Sequence, residues 1–192
     1  MAHVANRFAA VLDANVLYPF RVRDLLLRFA EAGLFRVCWS RQILDEWEQS
    51  LLASKPQLEA SIRSQRLAME EAFPEALVDG HEPLINALDL PDPNDRHVLA
   101  AAICAGSQLI VTENLRDFPK ERLAPFGIEP RSADAFLAGT FELYPTQATL
   151  ALKHMRAEYS RPPMTASELV MDLLRVRLPL TAAMARERIE LL

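Results

Sequence analysis

Cysteine, histidine and long apolar runs are all scarce in this chain. The two cysteines, Cys38 and Cys104, lack the C-x-x-C spacing of a zinc or dithiol redox site. Both stand in apolar surroundings and are expected to be buried thiols in a reducing cytosol, because free cysteine behaves as a small hydrophobe. No run approaches the ~18 apolar residues of a membrane span. The opening MAHVANRFAAVLDAN soon meets a charged residue, which argues against a cleaved export signal and for a cytoplasmic protein. There is no G-x-G-x-x-G and no P-loop, which argues against nucleotide-cofactor enzymes. Internal repeats are absent as well. A basic charge excess is missing too, for the net charge is −5, whereas phosphate binding usually leaves a basic footprint.

The charge distribution softens that last objection. Residues 1–140 hold 14 Lys/Arg against 20 Asp/Glu, and residues 141–192 hold 7 against 6. If several of those acids surround a metal ion, the ion cancels part of the excess locally. With 192 residues, 51% of them hydrophobic, the chain is ample for one folded domain with a genuine core and a small appendage.

Apolar strings of strand length alternate with helical patterns, the rhythm of an α/β fold built on a mostly parallel sheet. FAAVL (8–12), LFRVCW (34–39), QLIVT (108–112) and GIEP (127–130) read as strands. Val22, Leu25, Leu26, Phe29 and Ala30 mark a helix closed by Gly33. Ser40 caps a helix whose buried side is Ile43, Leu44, Trp47 and Leu51, and 56–73 is a further helix with Pro56 in its first turn. The Pro- and acid-rich stretch 74–94 reads as irregular, 95–105 as a helix, and Ser132 as the cap of a helix over 133–138. After about Tyr144 the strands stop. Helices are expected over 146–159, 165–177 and 181–192, the middle one opening with the capping-box spacing Thr165…Glu168. Leu150, Met155, Leu169, Val170, Leu173, Leu174 and Val176 give these helices apolar faces, expected to pack on the core or on one another. The organisation expected is a domain over 1–140 followed by a helical extension over 141–192.

The chemistry is carried by where the acids fall. Asp13 follows the first strand and Asp95 opens the helix that feeds strand 108–112. In a parallel sheet the strand ends and the following helix starts share one edge, where ligands bind. Two acidic clusters at one edge suggest a divalent cation and phosphate chemistry. Each acid alone has a plainer reading, Asp13 as a turn residue and Asp95 as a helix cap favoured by the dipole.

LDANVL, SRQILDE, DPNDRHVLAAAI and LIVTENLRDFP, in that order, resemble the PIN-domain nucleases, particularly the VapC-type toxin branch. The likeness covers roughly residues 8–140. It implies a three-layer α/β/α fold with acids gathered around Mg²⁺ or Mn²⁺, and cleavage of single-stranded or structured RNA, in the toxins often tRNA or rRNA. It also implies a cognate antitoxin and a possible homodimer. By position, Asp13, Glu46 and Asp95 match the first three family acids and would be catalytic metal ligands. Asp45 points about 100° away from Glu46 around the helix, so only one of the two can face the site; the family position selects Glu46. The fourth position departs from the pattern. Where many members have T-x-D, this chain has Thr112, Glu113 and Asn114, then Asp117. Asn114 would hold a metal-bound water or Asp13, Asp117 would supply the missing charge, and Asn15 and Thr112 would support the site.

A metal-assisted attack of water on a phosphodiester would leave a 5′-phosphate. A histidine-based route through a cyclic phosphate needs a second histidine beside His97, and His3, His81 and His154 are scattered. His97 therefore reads as a helix-surface or site-supporting group. Arg21, Arg23, Arg41, Arg96 and Arg116 fall near the expected site edge and are candidates for RNA phosphates. Tyr18 and Phe20 are expected to pack rather than stack on bases. Two rivals stand beside the nuclease. One is a degenerate PIN domain that binds RNA or protein without cutting, motivated by Asn114. The other is a generic Rossmann-like phosphohydrolase with Asp13 as nucleophile, which this chain fits poorly because Asn15 stands at the second position of the D-x-D of haloacid-type enzymes.

Overall fold

The structure is a computed structural model and describes residues 8–159 and 162–192. The opening MAHVANR, with His3, and Arg161 of the RPP interruption lie outside the described residues. In chain order the elements begin β1 (Ala9–Leu12), α1 (Ala14–Leu17), α2 (Phe20–Glu31), β2 (Arg36–Cys38), α3 (Arg41–Ser54), α4 (Glu59–Ala72) and α5 (Glu82–Ile85). They continue with α6 (Arg96–Cys104), β3 (Leu109–Val111), α7 (Lys120–Leu123), β4 (Glu129–Arg131) and α8 (Ala133–Leu143). The last three helices are α9 (Pro145–Glu158), α10 (Ala166–Arg175) and α11 (Pro179–Glu187). The parallel α/β architecture and the C-terminal helices read from the sequence are both present. The chain packs as two compact units, one holding residues up to Tyr18 with Arg36–Arg131, the other Pro19–Phe35 with Ser132–Leu192.

The first unit is built on a four-stranded parallel sheet in the order β2-β1-β3-β4. β1 is central and buried over its whole length, as a strand covered on both faces must be. Its register sets Val11 beside Cys38 on one side and Ile110 on the other. Pro130 lies within β4, which is tolerated because β4 is an edge strand. The bonds that hold the strand, Glu129 N to Gln108 O at 2.9 Å and Thr112 N to Arg131 O at 2.9 Å, flank the proline and need no N–H from it. Ser40 caps α3 as expected, its Oγ accepting from Ile43 N at 3.2 Å. Arg66 ties α4 back to α3 through Asp45 and Glu48, each at 2.6 Å.

In the second unit α2 packs on α8 and α9, and α11 on α8 and α10. Phe29 meets Phe141 edge-on at 6.4 Å, and Phe35 meets Phe136 at 4.8 Å, geometries the ring quadrupole favours. α11 opens with Pro179 and has no side-chain cap of its own. Buried Asp134 of α8 substitutes, accepting from Leu180 N at 2.8 Å and Thr181 N at 2.9 Å, so the helix dipole meets a carboxylate. The Thr165–Glu168 capping box is formed in both directions.

Several boundaries differ from the sequence reading. Pro56–Leu58 forms a separate 3-10 turn before α4. The stretch 74–94 contains α5 and a bridge from Trp39 to Leu77. β4 starts at Glu129 because Gly127, at φ 68°, closes a 3-10 turn. α8 runs on to Leu143, and the final helix is α11 followed by a 3-10 turn at Ile189–Leu191. Cys104 is exposed, not buried, since it sits at the end of α6 with its Sγ donating to Gly80 O at 3.7 Å. Among the apolar positions expected to pack, Leu150 and Leu174 are exposed while Met155, Leu169, Val170 and Leu173 are buried. Among the described residues no helix is long and apolar enough to cross a membrane.

Candidate active site

The sheet register assembles the first part of the site. Leu12 pairs with Val111, and Asp13 N donates to Val111 O at 3.0 Å. The residues just beyond these strand ends, Asp13 and Thr112, therefore stand side by side. Thr112 Oγ1 donates to Asp13 Oδ2 at 2.7 Å, and Asn15 Nδ2 donates to the same oxygen at 2.6 Å. Asn15 Nδ2 also donates to Thr112 Oγ1 at 3.0 Å, while Asn15 Oδ1 accepts from Glu113 N at 3.0 Å. Asn114 contributes its backbone, donating N–H to Thr112 Oγ1 at 3.0 Å and accepting from Asp117 N at 2.9 Å. The side chains that hold Asp13 are thus Asn15 and Thr112, whereas Asn114 is exposed and shapes the turn leading to Asp117.

Asp13 is only 4% exposed. Burial raises its pKa, opposed by the Thr112 hydroxyl and the Ala14 N–H, while Glu46 raises it and His97 lowers it. Asp95 closes the 3-10 turn Pro93–Asp95 that leads into α6. Its carboxyl is pushed up to about 6 by burial first, then by the negative charges of Asp13, Asp92 and Asp117, with His97 opposing. Asp92, flanked by Pro91 and Pro93, makes a turn, accepting from Asn94 N at 2.8 Å. Acids from just after β1, the α6 entry and the loop after β3 therefore share one field, and Glu46 of α3 acts on Asp13.

The choice between the two acids of α3 has a geometric counterpart. Asp45 turns to Arg66, and Glu46 meets His97 Nε2 at 2.9 Å. His97 is 2% exposed, so it is not a helix-surface group. It opens a run, His97 to Ala102, that is buried on every side of α6, a placement that helical periodicity in an almost wholly apolar segment does not reveal.

The arginines divide between the units. Arg41 at the start of α3, Arg96 at the start of α6 and Arg116 after β3 lie in the unit that holds the acids, Arg41 and Arg116 exposed and Arg96 half-buried. Arg21 and Arg23 belong to the other unit. Arg21 is paired with Asp172 at 2.9 Å and lies over the Tyr159 ring at 3.8 Å. Arg23 is buried, its pKa lowered to about 10 by desolvation with Asp24 opposing, and it remains a cation at neutral pH. Tyr18 and Phe20 are exposed by 37% and 54% rather than packed, Tyr18 donating its hydroxyl to Ser54 at 2.8 Å.

Among the described residues no three His, Cys, Asp or Glu side chains converge tightly enough to cage an ion unaided. The donor set nevertheless suits a hard divalent cation. Mg²⁺ characteristically takes one or two carboxylates, keeps several waters and completes its shell with substrate phosphate. Carboxyls that raise one another's pKa are the environment in which a bound cation offsets the largest local repulsion.

The PIN domain family model matches residues 9–116, and a model of the VapC50 C-terminal domain matches residues 133–187. The first range includes Asp13, Asn15, Glu46, Asp95, Thr112 and Asn114 and ends one residue before Asp117. A curated relative from Mycobacterium tuberculosis, "Putative ribonuclease VapC50", is 37% identical over 111 residues, 58% of this chain and 64% of that protein. The match thus spans less than two thirds of that relative's length. No solved structure gives a significant match.

Proposed function

The chain belongs to the PIN-domain family, and from that premise we propose that it is a metal-dependent endoribonuclease, the toxin of a type II toxin–antitoxin pair. The observation that carries this reading is the buried Asp13 carboxylate, fixed by Thr112 and Asn15 and sharing a field with Asp95 and Glu46. In this reading Asp13, Asp95, Glu46 and Asp117 are the catalytic groups and hold the ion. Asn15, Thr112 and Asn114 support them. Bound Mg²⁺ or Mn²⁺ would supply a more nucleophilic water and offset charge on the departing 3′-oxygen. Asp13 presents a preorganised negative charge that needs no rearrangement during the reaction, because two side-chain donors already hold it. Arg41, Arg96 and Arg116 would grip RNA phosphates, for which the guanidinium fork is suited. Arg21 and Arg23 are weaker candidates, since Arg21 is engaged by Asp172 and Arg23 is buried.

The same reading implies a cytoplasmic protein held in check by a small antitoxin. The C-terminal helices, with exposed Leu143, Leu150 and Leu180, would offer surface to that partner or to a second copy. The test is cleavage of end-labelled total tRNA and of a single-stranded RNA, after any co-purifying small partner has been removed. Discrete products with Mn²⁺ or Mg²⁺, abolished by EDTA, are expected. One observation favours a second reading, the neutral exposed Asn114 where many members carry an acid. Absence of both cleavage and calorimetric metal binding would select the non-cutting binding module.

The acids of α3 give a sharper check. Glu46→Gln is expected to lower the cleavage rate by about 10-fold or more, the range found when groups around a metal are altered. Asp45→Asn, which touches only the Arg66 network, should leave the rate within about twofold. Equal losses in initial-rate assays of the two variants would remove Glu46 from the site.

A further inference from the structure

We infer that His97 is a positioning residue for Glu46, its buried imidazole donating Nε2–H to Glu46 Oε1 at 2.9 Å and holding that carboxylate within the acidic cluster. The inference rests on the nuclease reading and names how one acid of that site is kept in place.

A buried imidazole costs desolvation unless its polar atoms find partners. His97 is 2% exposed, and its Nδ1 has no hydrogen-bond partner among the described residues. From His97 to Ala102 α6 is buried on every side, and the other five residues of that run are apolar, so packing alone would be served better by an apolar side chain. What the imidazole gains is one charge-assisted bond to a carboxylate on a different element, α3. Glu46 has the matching need. Its side chain is 40% exposed, long and rotamer-rich, and a ligand that samples several rotamers must be ordered before it can bind. Gln42 Nε2 donates to the same oxygen at 3.2 Å. Both donors fall on Oε1, which orients Oε2 as the oxygen for a ligand. His97 also lies close enough to Asp13 and Asp95 to act on the charge of both, so the anchor stands among the acids and not at their margin. Two residues after Asp95, one short segment thus supplies an acid and the clamp for another.

The donor assignment follows from the contact, because a carboxylate only accepts. Long-range ¹H–¹⁵N spectra of the metal-free protein should show a proton on His97 Nε2, with the Nε2 resonance shifted in Glu46→Ala. A proton on Nδ1 in place of Nε2, or a signal indifferent to Glu46→Ala, overturns the inference whether or not any variant folds. Mn²⁺ affinity, read by electron paramagnetic resonance without substrate, supplies the second arm. His97→Leu is expected to bind Mn²⁺ about 10- to 100-fold more weakly than wild type, the usual cost of losing a group that orients a ligand. His97→Gln, whose amide N–H can reach the same oxygen, should recover to within about threefold. A folded His97→Leu with wild-type affinity, or a Gln variant as weak as Leu, assigns the residue to structure only and overturns the inference. A wild-type protein that binds no Mn²⁺ and cuts no RNA overturns the nuclease reading itself, and the inference with it.

Discussion

Asp13→Asn is expected to lower metal-dependent RNA cleavage by at least about 100-fold, the scale of losing one major electrostatic contributor, while the protein stays folded. The fold survives because the two donors on Asp13 Oδ2, Thr112 Oγ1 and Asn15 Nδ2, can both be accepted by an amide carbonyl. What disappears is the charge, and with it a hard oxygen donor. Stability of the metal-free protein should hold or rise, since burial already opposes ionisation of Asp13. Asp13→Ala makes the contrast. It strands the buried Thr112 hydroxyl donor beside a 4%-exposed position, at roughly 1–3 kcal/mol for that unsatisfied group, while Asn15 Nδ2 keeps its bond to Thr112 Oγ1. Single-turnover cleavage and thermal unfolding on both variants separate the two effects. An Asn variant that cuts at the wild-type rate would eliminate Asp13 from the chemistry.

What the sequence made legible is what repeats with a period or sits at an element boundary. β1 and β3 were readable as apolar strings, and a parallel register between them places Asp13 beside Thr112 without further information. Ser40, Ser132 and Thr165 were readable as caps because capping chemistry is local. Asp45 and Glu46 could not be separated by periodicity, as both flank the apolar stripe of α3; the separation comes from Arg66 on α4, a tertiary partner. Of the two places open to His97, helix surface or support of the site, the sequence does not choose. A polar residue two positions from an acid reads as surface, and only the packing of α6 against α5, β1 and β3 shows that it is buried. Asn114 was expected to act through its side chain, yet its contacts with Thr112 and Asp117 are made by its backbone, which residue identity does not encode. Cys104 and Tyr18 show that apolar surroundings in sequence do not guarantee burial in space. Asp134, which caps α11 across 46 residues, carried no sequence signal beyond being an acid in a first turn.

Asp95→Asn is expected to cut activity by about 100-fold and, in metal-free buffer at neutral pH, to stabilise the protein. The sign follows from linkage. The Asp95 carboxyl is raised from 3.8 to about 6 in the folded chain, so the native state holds its proton more tightly than the unfolded state. Its penalty on folding is absent below about pH 4, grows between about pH 4 and 6, and is complete above that window. A shift of that size corresponds to about 3 kcal/mol at 1.36 kcal/mol for each pH unit, and screening at a half-buried carboxyl reduces the expected gain to about 1–2 kcal/mol. Asp13 is raised as well, so the wild-type protein alone should become more stable as pH falls from 7 toward 5. The difference between wild type and variant isolates Asp95. Added Mg²⁺ or Mn²⁺ should reverse the order, because a ligand that binds only the native state stabilises it by mass action, and the variant has lost a donor for that ion. Denaturant melts at pH 7 and pH 4, with and without metal, test the whole scheme. A variant less stable than wild type in EDTA at pH 7 would mean that Asp95 is held by favourable contacts and not by repulsion. It would then be a structural cap at the start of α6, and the acidic edge would lose the strain that a bound cation is proposed to relieve.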